Sequence, residues 1–453
     1  MTDVRSTIHA RLVMPAAYTL LRDRRFVLMR ELLERDAWSR DQIREHQARR
    51  LTHLFQICRR HNPYWSAKFD VFGLDPNGAD AFAELAKLPI LTKDEVREHW
   101  SRMRSTHLDD SEIVVESSGG STGMPVNLYQ SKHYRTLHAA NEYRSRAWMG
   151  IHPGEPYLSI QADGGYIRGR KRFLRNVRMA VERGTIIDGL QIDPARTREA
   201  LRAAASRRPV HVLGYTTPMV AIARIARELG LDWSSIRAVS TTAERLFDHD
   251  RAFLGETYNA PVFDRYGSRE VNSISMQCPE GRHHIFADLN VVEFVPIDDA
   301  DEDMNAIVVT PLDNEAMPLF RYRGGDEASA VAGDCPCGRA LPLMTGCRGR
   351  IANNFVTADG RLINGGYFSR YFSHENGVNA FQFHQTSVRH IDVYVAVDGA
   401  PSDDRRRQLN DMLAGIERDY PGQFDLSLHV VEEIPRRASG KHLFTISDVL
   451  LHV

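Results

Sequence analysis

Apolar positions follow a helical period at the start of the chain, a mixed one in the middle and an alternating one near the end. Ser39 followed by Asp41-Gln42-Ile43 opens a helix in which Ile43, His46, Leu51, Leu54 and Ile57 recur at helical spacing. Thr92 stands as a helix N-cap with Glu95 three positions on. From about residue 112 to 345, apolar runs of strand length alternate with helical stretches. Ile113–Val115, Val210–Leu213, Ala238–Ser240 and Ile307–Thr310 read as strands, and Pro218–Leu229 reads as a helix. This alternation predicts an α/β fold with parallel strands. In the last hundred residues Ile391–Val397 alternates like a strand, Asp403–Tyr420 reads as a polar-faced helix, and Leu426–Val431 alternates again. That order predicts a small α+β domain, with a boundary near Gly349-Arg350 where glycines and polar residues punctuate the chain. The expected domains are therefore 1–349, with a helical start over 1–100, and 350–453.

The 453 residues carry 58 Lys plus Arg against 59 Asp plus Glu, a net charge of −1. Such balance excludes a chain whose main business is coating nucleic acid or an acidic membrane. Five cysteines, Cys58, Cys278, Cys335, Cys337 and Cys347, are too few in this length for a disulfide framework, and they fit a reduced, cytoplasmic protein. Arg5 and Arg11 precede the apolar stretch Leu12 to Leu21, which mimics a signal peptide. Pro15, the basic run after Leu21 and the lack of a small-residue cleavage site argue instead for a buried or surface helix, with weak membrane association as the second reading, and the stretch is too short to span a bilayer.

The sharpest chemical signal is Ser117-Ser118-Gly119-Gly120-Ser121-Thr122-Gly123-Met124-Pro125, directly after a strand. Glycines in a tight loop let backbone N–H groups converge on phosphate oxygens, and the Ser121 and Thr122 hydroxyls add donors. The GK[ST] ending of a Walker loop is absent. Four further segments follow in order: Ser240-Thr241-Thr242-Ala243-Glu244, Asp264-Arg265-Tyr266-Gly267-Ser268-Arg269-Glu270, Arg321-Tyr322-Arg323-Gly324-Gly325-Asp326 and Ser439-Gly440-Lys441. Together the five resemble the adenylate-forming superfamily of acyl-CoA synthetases, in particular the phenylacetate–CoA ligase family. The capsular-polysaccharide-biosynthesis branch is similar in also carrying a helical start and a segment like Leu88 to Arg97.

The resemblance implies ATP-dependent activation of a carboxylic acid, aryl or of related small size. An acyl-adenylate and pyrophosphate form first, and the acyl group then passes to a thiol, with CoA the default acceptor. An amine, a hydroxyl or a carrier-protein arm stays open as acceptor, as does a degenerate nucleotide-binding scaffold. By the same resemblance Ser117, Ser118, Gly119, Gly120, Ser121, Thr122 and Gly123 hold the β- and γ-phosphates, Tyr266 beside Gly267 stacks on adenine, and Ala243 and Glu244 flank it. Glu270 ligates Mg²⁺, a hard cation suited to carboxylate and phosphate oxygens. Asp326 accepts from the ribose hydroxyls, Arg350 sits near the ribose at a hinge, and Lys441 is the catalytic lysine of a mobile C-terminal domain. Tyr215, after a strand, lines the acid pocket or is a core tyrosine. Two positions depart from the family pattern: Met124 where many relatives carry lysine, and Arg269 before Glu270 where threonine is usual.

Cys278, Cys335 and Cys337 with His284, or with His283 in its place, offer three thiolates and an imidazole, the donor set of a closed structural zinc site. The C-x-C spacing is tighter than the usual zinc pair, and the zinc expectation rests on relatives with a similar segment. Arg168, Arg170, Lys171, Arg172, Arg175, Arg178 and Arg183 form a cationic block with Phe173 the aromatic inside it. A solvated helix face accounts for it, with an anion site for a phosphorylated acceptor as the second reading. No nucleic acid and no membrane span are expected, and a homodimer stays open.

Overall fold

The computed structural model describes residues 9–20, 23–117, 126–161, 169–189, 191–296, 305–347, 354–359, 362–364, 368, 378–397, 402–432, 434 and 445–449. The chain forms two compact units, one of residues 1–118, 126–155 and 263–349, the other of residues 119–125, 156–262 and 350–453.

The first unit begins with helices. Ser39 caps Arg40–His61 in a reciprocal capping box with Gln42. That helix stops at Asn62, whose side chain caps Pro63–Phe72. Trp65 of the second helix packs edge-on against Phe320 at 4.9 Å between ring centroids. Its indole N–H donates to the Pro318 carbonyl at 2.8 Å, which fastens the helical start to the residues before the 321–326 segment. Thr92 caps Lys93–His99 by accepting from the Glu95 N–H. The Glu95 carboxylate turns away, accepting from Tyr64 at 2.5 Å and from Lys68 at 2.7 Å.

The sheets of this unit are antiparallel. Ile113–Ser117 and Asn127–Ser131 form a hairpin in which Ser117 faces Asn127, so the glycine-rich segment is its connection. Asn290–Pro296, Asn305–Pro311 and Tyr322–Ala328 form a three-stranded sheet. A ladder runs from Val262–Ser268 through Asn272–Gln277, His283–Ile285 and Leu343–Met344 to Ala330–Val331. Two of the four strands read as parallel, at 113–115 and 307–310, therefore belong to antiparallel sheets. A parallel pair needs a crossover of a dozen or more residues, usually a helix. No described residue of 263–347 is helical, so no described helix there supplies such a crossover, and Asn305–Pro311 pairs antiparallel with both neighbours.

In the second unit the α/β expectation is met. Ala238–Thr242, His211–Tyr215, Tyr157–Gln161 and Gly184–Asp188 lie side by side in that order, all parallel. Helices Gly169–Val181, Pro194–Ser206 and Thr216–Glu228 make the connections. Leu158, Ile160, Val212 and Val239 are fully buried in a core that also takes Ile222 and Leu254, as expected for strands covered on both faces. Gly214 is required by close approach: a Cβ there would stand 2.2 Å from the Ile160 carbonyl oxygen.

The C-terminal stretch carries a four-stranded sheet in the order Asp425–Val431, His390–Val397, Val378–Gln385, Thr445–Ser447. Helix Asp403–Asp419, capped by Ser402, connects two parallel strands of it. Ile391, Val393 and Val395 alternate into a core with Phe381, Phe383, Leu409 and Ile416, which is the strand–helix–strand pattern read from the sequence. Leu362–Asn364 pairs with Asn354–Val356 and also with Gln191–Ile192. The first C-terminal strands are thus hydrogen-bonded to a residue pair within the parallel-sheet part of the same unit.

Candidate functional site

Glu270 sits in the turn between strands Val262–Ser268 and Asn272–Gln277 and is 6% exposed. An oxygen of its carboxylate lies 3.6 Å from the Lys93 ammonium. Lys93 is the first residue of the helix that Thr92 caps, and the segment before it is pinned to the 321–326 segment. Leu91 exchanges backbone hydrogen bonds with Arg321 and Arg323, each at 3.0 Å, and the Arg321 guanidinium donates to the Leu88 carbonyl at 2.6 Å. The turn is also tied to the hairpin. Gln130 donates to the Arg269 carbonyl at 3.0 Å, and the Arg269 guanidinium donates to the Ser117 carbonyl at 3.3 Å. The Ser117 hydroxyl is shielded from solvent and has no hydrogen-bond partner among the described residues.

The Tyr266 hydroxyl donates to Asp326 Oδ2 at 3.1 Å, so two residues expected at adenine and ribose meet directly. Burial raises the Tyr266 phenol well above its ordinary pKa, and the neighbouring Asp326 charge and Cys347 add to it. The phenol therefore stays a donor at neutral pH. Gly267 faces Ser273 beside a bulge, and a Cβ on it would stand 2.3 Å from the Asn272 carbonyl oxygen. Glycine at this position keeps the strand, and Tyr266 on it, in place.

In the second unit Ala243 has φ +69°, a left-handed conformation that side chains other than Gly, Asn and Asp rarely adopt. The chain turns sharply there, after strand Ala238–Thr242. Glu244 then caps helix Thr216–Glu228: its Oε2 accepts from the Thr217 N–H at 2.7 Å and its carbonyl from the Thr216 hydroxyl at 3.2 Å. A carboxylate at a helix N-terminus is stabilised by the orphan N–H groups and the dipole. Tyr215, half-buried, is the last residue of its strand and immediately precedes that helix. Ser118, Gly119, Gly120, Ser121, Thr122, Gly123, Arg350 and Lys441 lie outside the described residues.

Cys278, His284, Cys335 and Cys337 converge, their ligand atoms all within 4.8 Å of one another. Cys278 and Cys335 sulfurs are 3.6 Å apart, and Cys337 Sγ is 3.2 Å from His284 Nε2. A tetrahedral zinc with Zn–S bonds of about 2.3 Å holds its sulfurs about 3.8 Å apart, so the set fits that metal. Two tight turns present the thiols. Gly281 donates to the Cys278 carbonyl and Gly338 to the Cys335 carbonyl, the latter with φ +81°. His284 Nδ1 is 3.2 Å from the Leu341 carbonyl, which orients Nε2 toward the thiols. His283 points elsewhere, to Asp264 at 3.5 Å, so geometry separates the two histidines. Burial pushes the Cys335 thiol up to about 12. Burial also acts upward on Cys337, but the Arg339 N–H and guanidinium with the Cys335 thiol outweigh it and lower the pKa.

Behind this cluster Trp148 meets His284 edge-on at 5.8 Å and donates to Asp36 at 2.7 Å. Arg144, fully buried, pairs with Asp36 and with Asp288. Lys93 and this buried charge network went unassigned in the sequence. The signal for Lys93 was its place directly after the cap residue of the Leu88–Arg97 segment. The network left none, because its members are far apart in the chain.

The fold is that of adenylate-forming CoA ligases. A structure of 2-hydroxyisobutyryl-CoA ligase with 2-HIB-AMP and CoA in the thioesterification state aligns with a TM-score of 0.62 at 17% identity, covering 91% of each chain. An open conformation of the same ligase with the same molecules aligns at 0.57, also 17% identical, over 89% of this chain and 91% of that one. In sequence the chain is similar to the phenylacetate-coenzyme A ligase of Thermus thermophilus, 24% identical over 330 residues, 70% of this chain and 72% of that protein. The phenylacetate-coenzyme A ligase of Escherichia coli K12 is 23% identical over 321 residues, 68% and 71% of the two chains. Residues 355–448 match the CapK C-terminal domain. Among the described residues no helix is long and apolar enough to cross a membrane.

Proposed function

We propose that the protein is an ATP-dependent ligase that adenylates a small carboxylic acid and passes the acyl group to the thiol of CoA. The observation that carries this reading is the Lys93–Glu270 pair: a buried carboxylate and an ammonium at 3.6 Å, in a turn bonded to the strand that leads into the glycine-rich segment. In the first step the acid's carboxylate oxygen bonds to the α-phosphorus of ATP and the bond to the pyrophosphate oxygen breaks. Charge grows on the phosphate oxygens, and cations placed there stabilise the transition state more than the ground state. Lys441 fills that role by its motif. Lys93 supplies a second cation in a chain whose glycine-rich loop has Met124 instead of lysine. Glu270 would hold Mg²⁺, which is bound through one or two carboxylates plus substrate phosphates and neutralises phosphate charge. The Tyr266–Asp326 pair serves the nucleoside. In the second step the CoA sulfur bonds to the acyl carbon, AMP leaves, and the thiol proton passes to solvent. Cys278, His284, Cys335 and Cys337 would hold a structural zinc, a closed set with no position left for substrate.

The test is production of AMP and pyrophosphate across a panel of aryl, amino and short aliphatic acids, with and without CoA. Acid-dependent pyrophosphate followed by a CoA thioester is the expected result. Lys441→Ala should abolish pyrophosphate release and leave thioester formation from pre-made acyl-adenylate largely intact. ATP binding with no turnover for any acid would instead mark a nucleotide-binding scaffold.

A further inference from the structure

Helix Gly169–Val181 carries most of the cationic block that the reaction leaves unused, and its apolar face is turned outward. Met179 is buried against Tyr157 and Leu213, and Glu182, just past the helix, is buried and accepts from the Tyr157 hydroxyl at 2.7 Å. At about 100° per residue, Phe173, Leu174 and Val177 share the side opposite Met179. They are 66%, 51% and 45% exposed. Arg172, Arg175 and Arg178 lie on the other half of the helix, Arg178 reaching Glu182 at 3.3 Å. Between Asp163 and Glu182 the sequence has no acidic residue. A solvated helix face, the sequence expectation, does not account for three adjacent large apolar side chains standing in water.

We propose that this helix is a docking surface for an anionic lipid bilayer. An apolar face backed by arginines is the composition of a helix that lies in the plane of the membrane interface, its apolar side among the acyl chains and its long cations reaching the headgroups. A second copy of the chain fits worse, because a two-fold interface sets the same patch against itself and would bring the arginine blocks together. Nucleic acid would satisfy the arginines and leave Phe173, Leu174 and Val177 exposed. With a net charge of −1 for the whole chain, the attraction is local and acts within a Debye length, roughly 8–10 Å in physiological salt.

The experiment is flotation of the full-length protein with vesicles of phosphatidylcholine alone or with phosphatidylserine added, at low and physiological salt, beside light scattering for mass. Binding to the serine-containing vesicles, falling with salt and weak on phosphatidylcholine, is expected. F173S/V177S should lose it, and R172Q/R178Q should weaken it roughly fivefold per arginine removed. All four side chains concerned are exposed, so circular dichroism should match the parent, and each double variant checks the other. Absence of binding to anionic vesicles, equal binding to both compositions, or full binding by F173S/V177S overturns the proposal. So does a dimer that F173S/V177S converts to monomer, which would assign the face to a second copy. None of these readouts depends on catalysis.

Discussion

Lys93 and Glu270 meet at 3.6 Å although the chain places them far apart. The contact exists because Leu91 is hydrogen-bonded to Arg321 and Arg323, which carries the start of helix Lys93–His99 to the turn that holds Glu270. Removing the cation should therefore act on chemistry more than on folding. Lys93→Ala should slow acid-dependent pyrophosphate release by roughly 10²–10³-fold, the range for losing one charge-stabilising group. Thioester formation from supplied acyl-adenylate should change little, and Lys93→Arg should recover part of the rate. Equal slowing of both half-reactions would make Lys93 a structural partner of Glu270 only.

Tyr266→Phe removes the donor to Asp326 Oδ2 and leaves the ring in place. A hydrogen bond to a charged group is worth about 1.5–3 kcal/mol to the fold, and with Asp326 no longer oriented by it KM for ATP should rise with kcat nearly kept. Gly267→Ala is a different lesion. Its Cβ would stand 2.3 Å from a backbone oxygen, and overpacking of this kind costs about 1–3 kcal/mol. Thermal unfolding should show a lower midpoint for both variants, since the Tyr266–Asp326 bond is made within the folded chain.

Elemental analysis of protein prepared without chelator should find one zinc per chain. Cys337→Ser should lower that content, while Cys347→Ser, outside the four-residue set, should keep it. Trp148 lies edge-on to His284 and hydrogen-bonds Asp36, so chelation should change its fluorescence and speed amide exchange in helix Arg25–Arg35 and the residues just after it. Unchanged fluorescence on metal removal would disconnect the cluster from the helices.

Acid should weaken the first unit through two histidines. Burial and the nearby Arg35 lower His46 from 6.5 to about 4, and burial lowers His138 from 6.5 to about 3. Both stay neutral in the folded chain after the unfolded chain has taken up protons. Stability from each is complete above about pH 6.5 and is lost as pH falls toward the folded values. Urea midpoints should drop between pH 6.5 and 4, and His138→Gln should flatten part of that slope. A parent slope that His138→Gln leaves untouched would assign the acid sensitivity to other groups.

The C-terminal sheet and helix were legible because alternation and helical spacing are local. Ile391, Val393 and Val395 had to face one side, and Ser402 caps its helix as N-cap residues do. The two misread strands show the limit. Ile113–Ser117 and Asn305–Pro311 were recognisable as strands, but periodicity carries no information about the direction of the partner. The choice between His283 and His284 was undecidable for a related reason: adjacent strand residues point to opposite faces, and only the packed sheet says which face holds the thiols.

What the sequence by itself determined is the inventory: where helices start, which stretches alternate, the five ordered motifs and the set of Cys and His donors. Tertiary structure decided the pairings. It joined Lys93 to Glu270, Tyr266 to Asp326 and Glu244 to the start of helix Thr216–Glu228, brought three cysteines to one histidine, and turned Phe173, Leu174 and Val177 outward. Caps and face patterns depend on neighbours within a turn or two, which any stretch of sequence contains. Distances between remote side chains depend on how whole sheets and helices close against one another, and that balance of burial and hydrogen bonding is settled only by the complete fold.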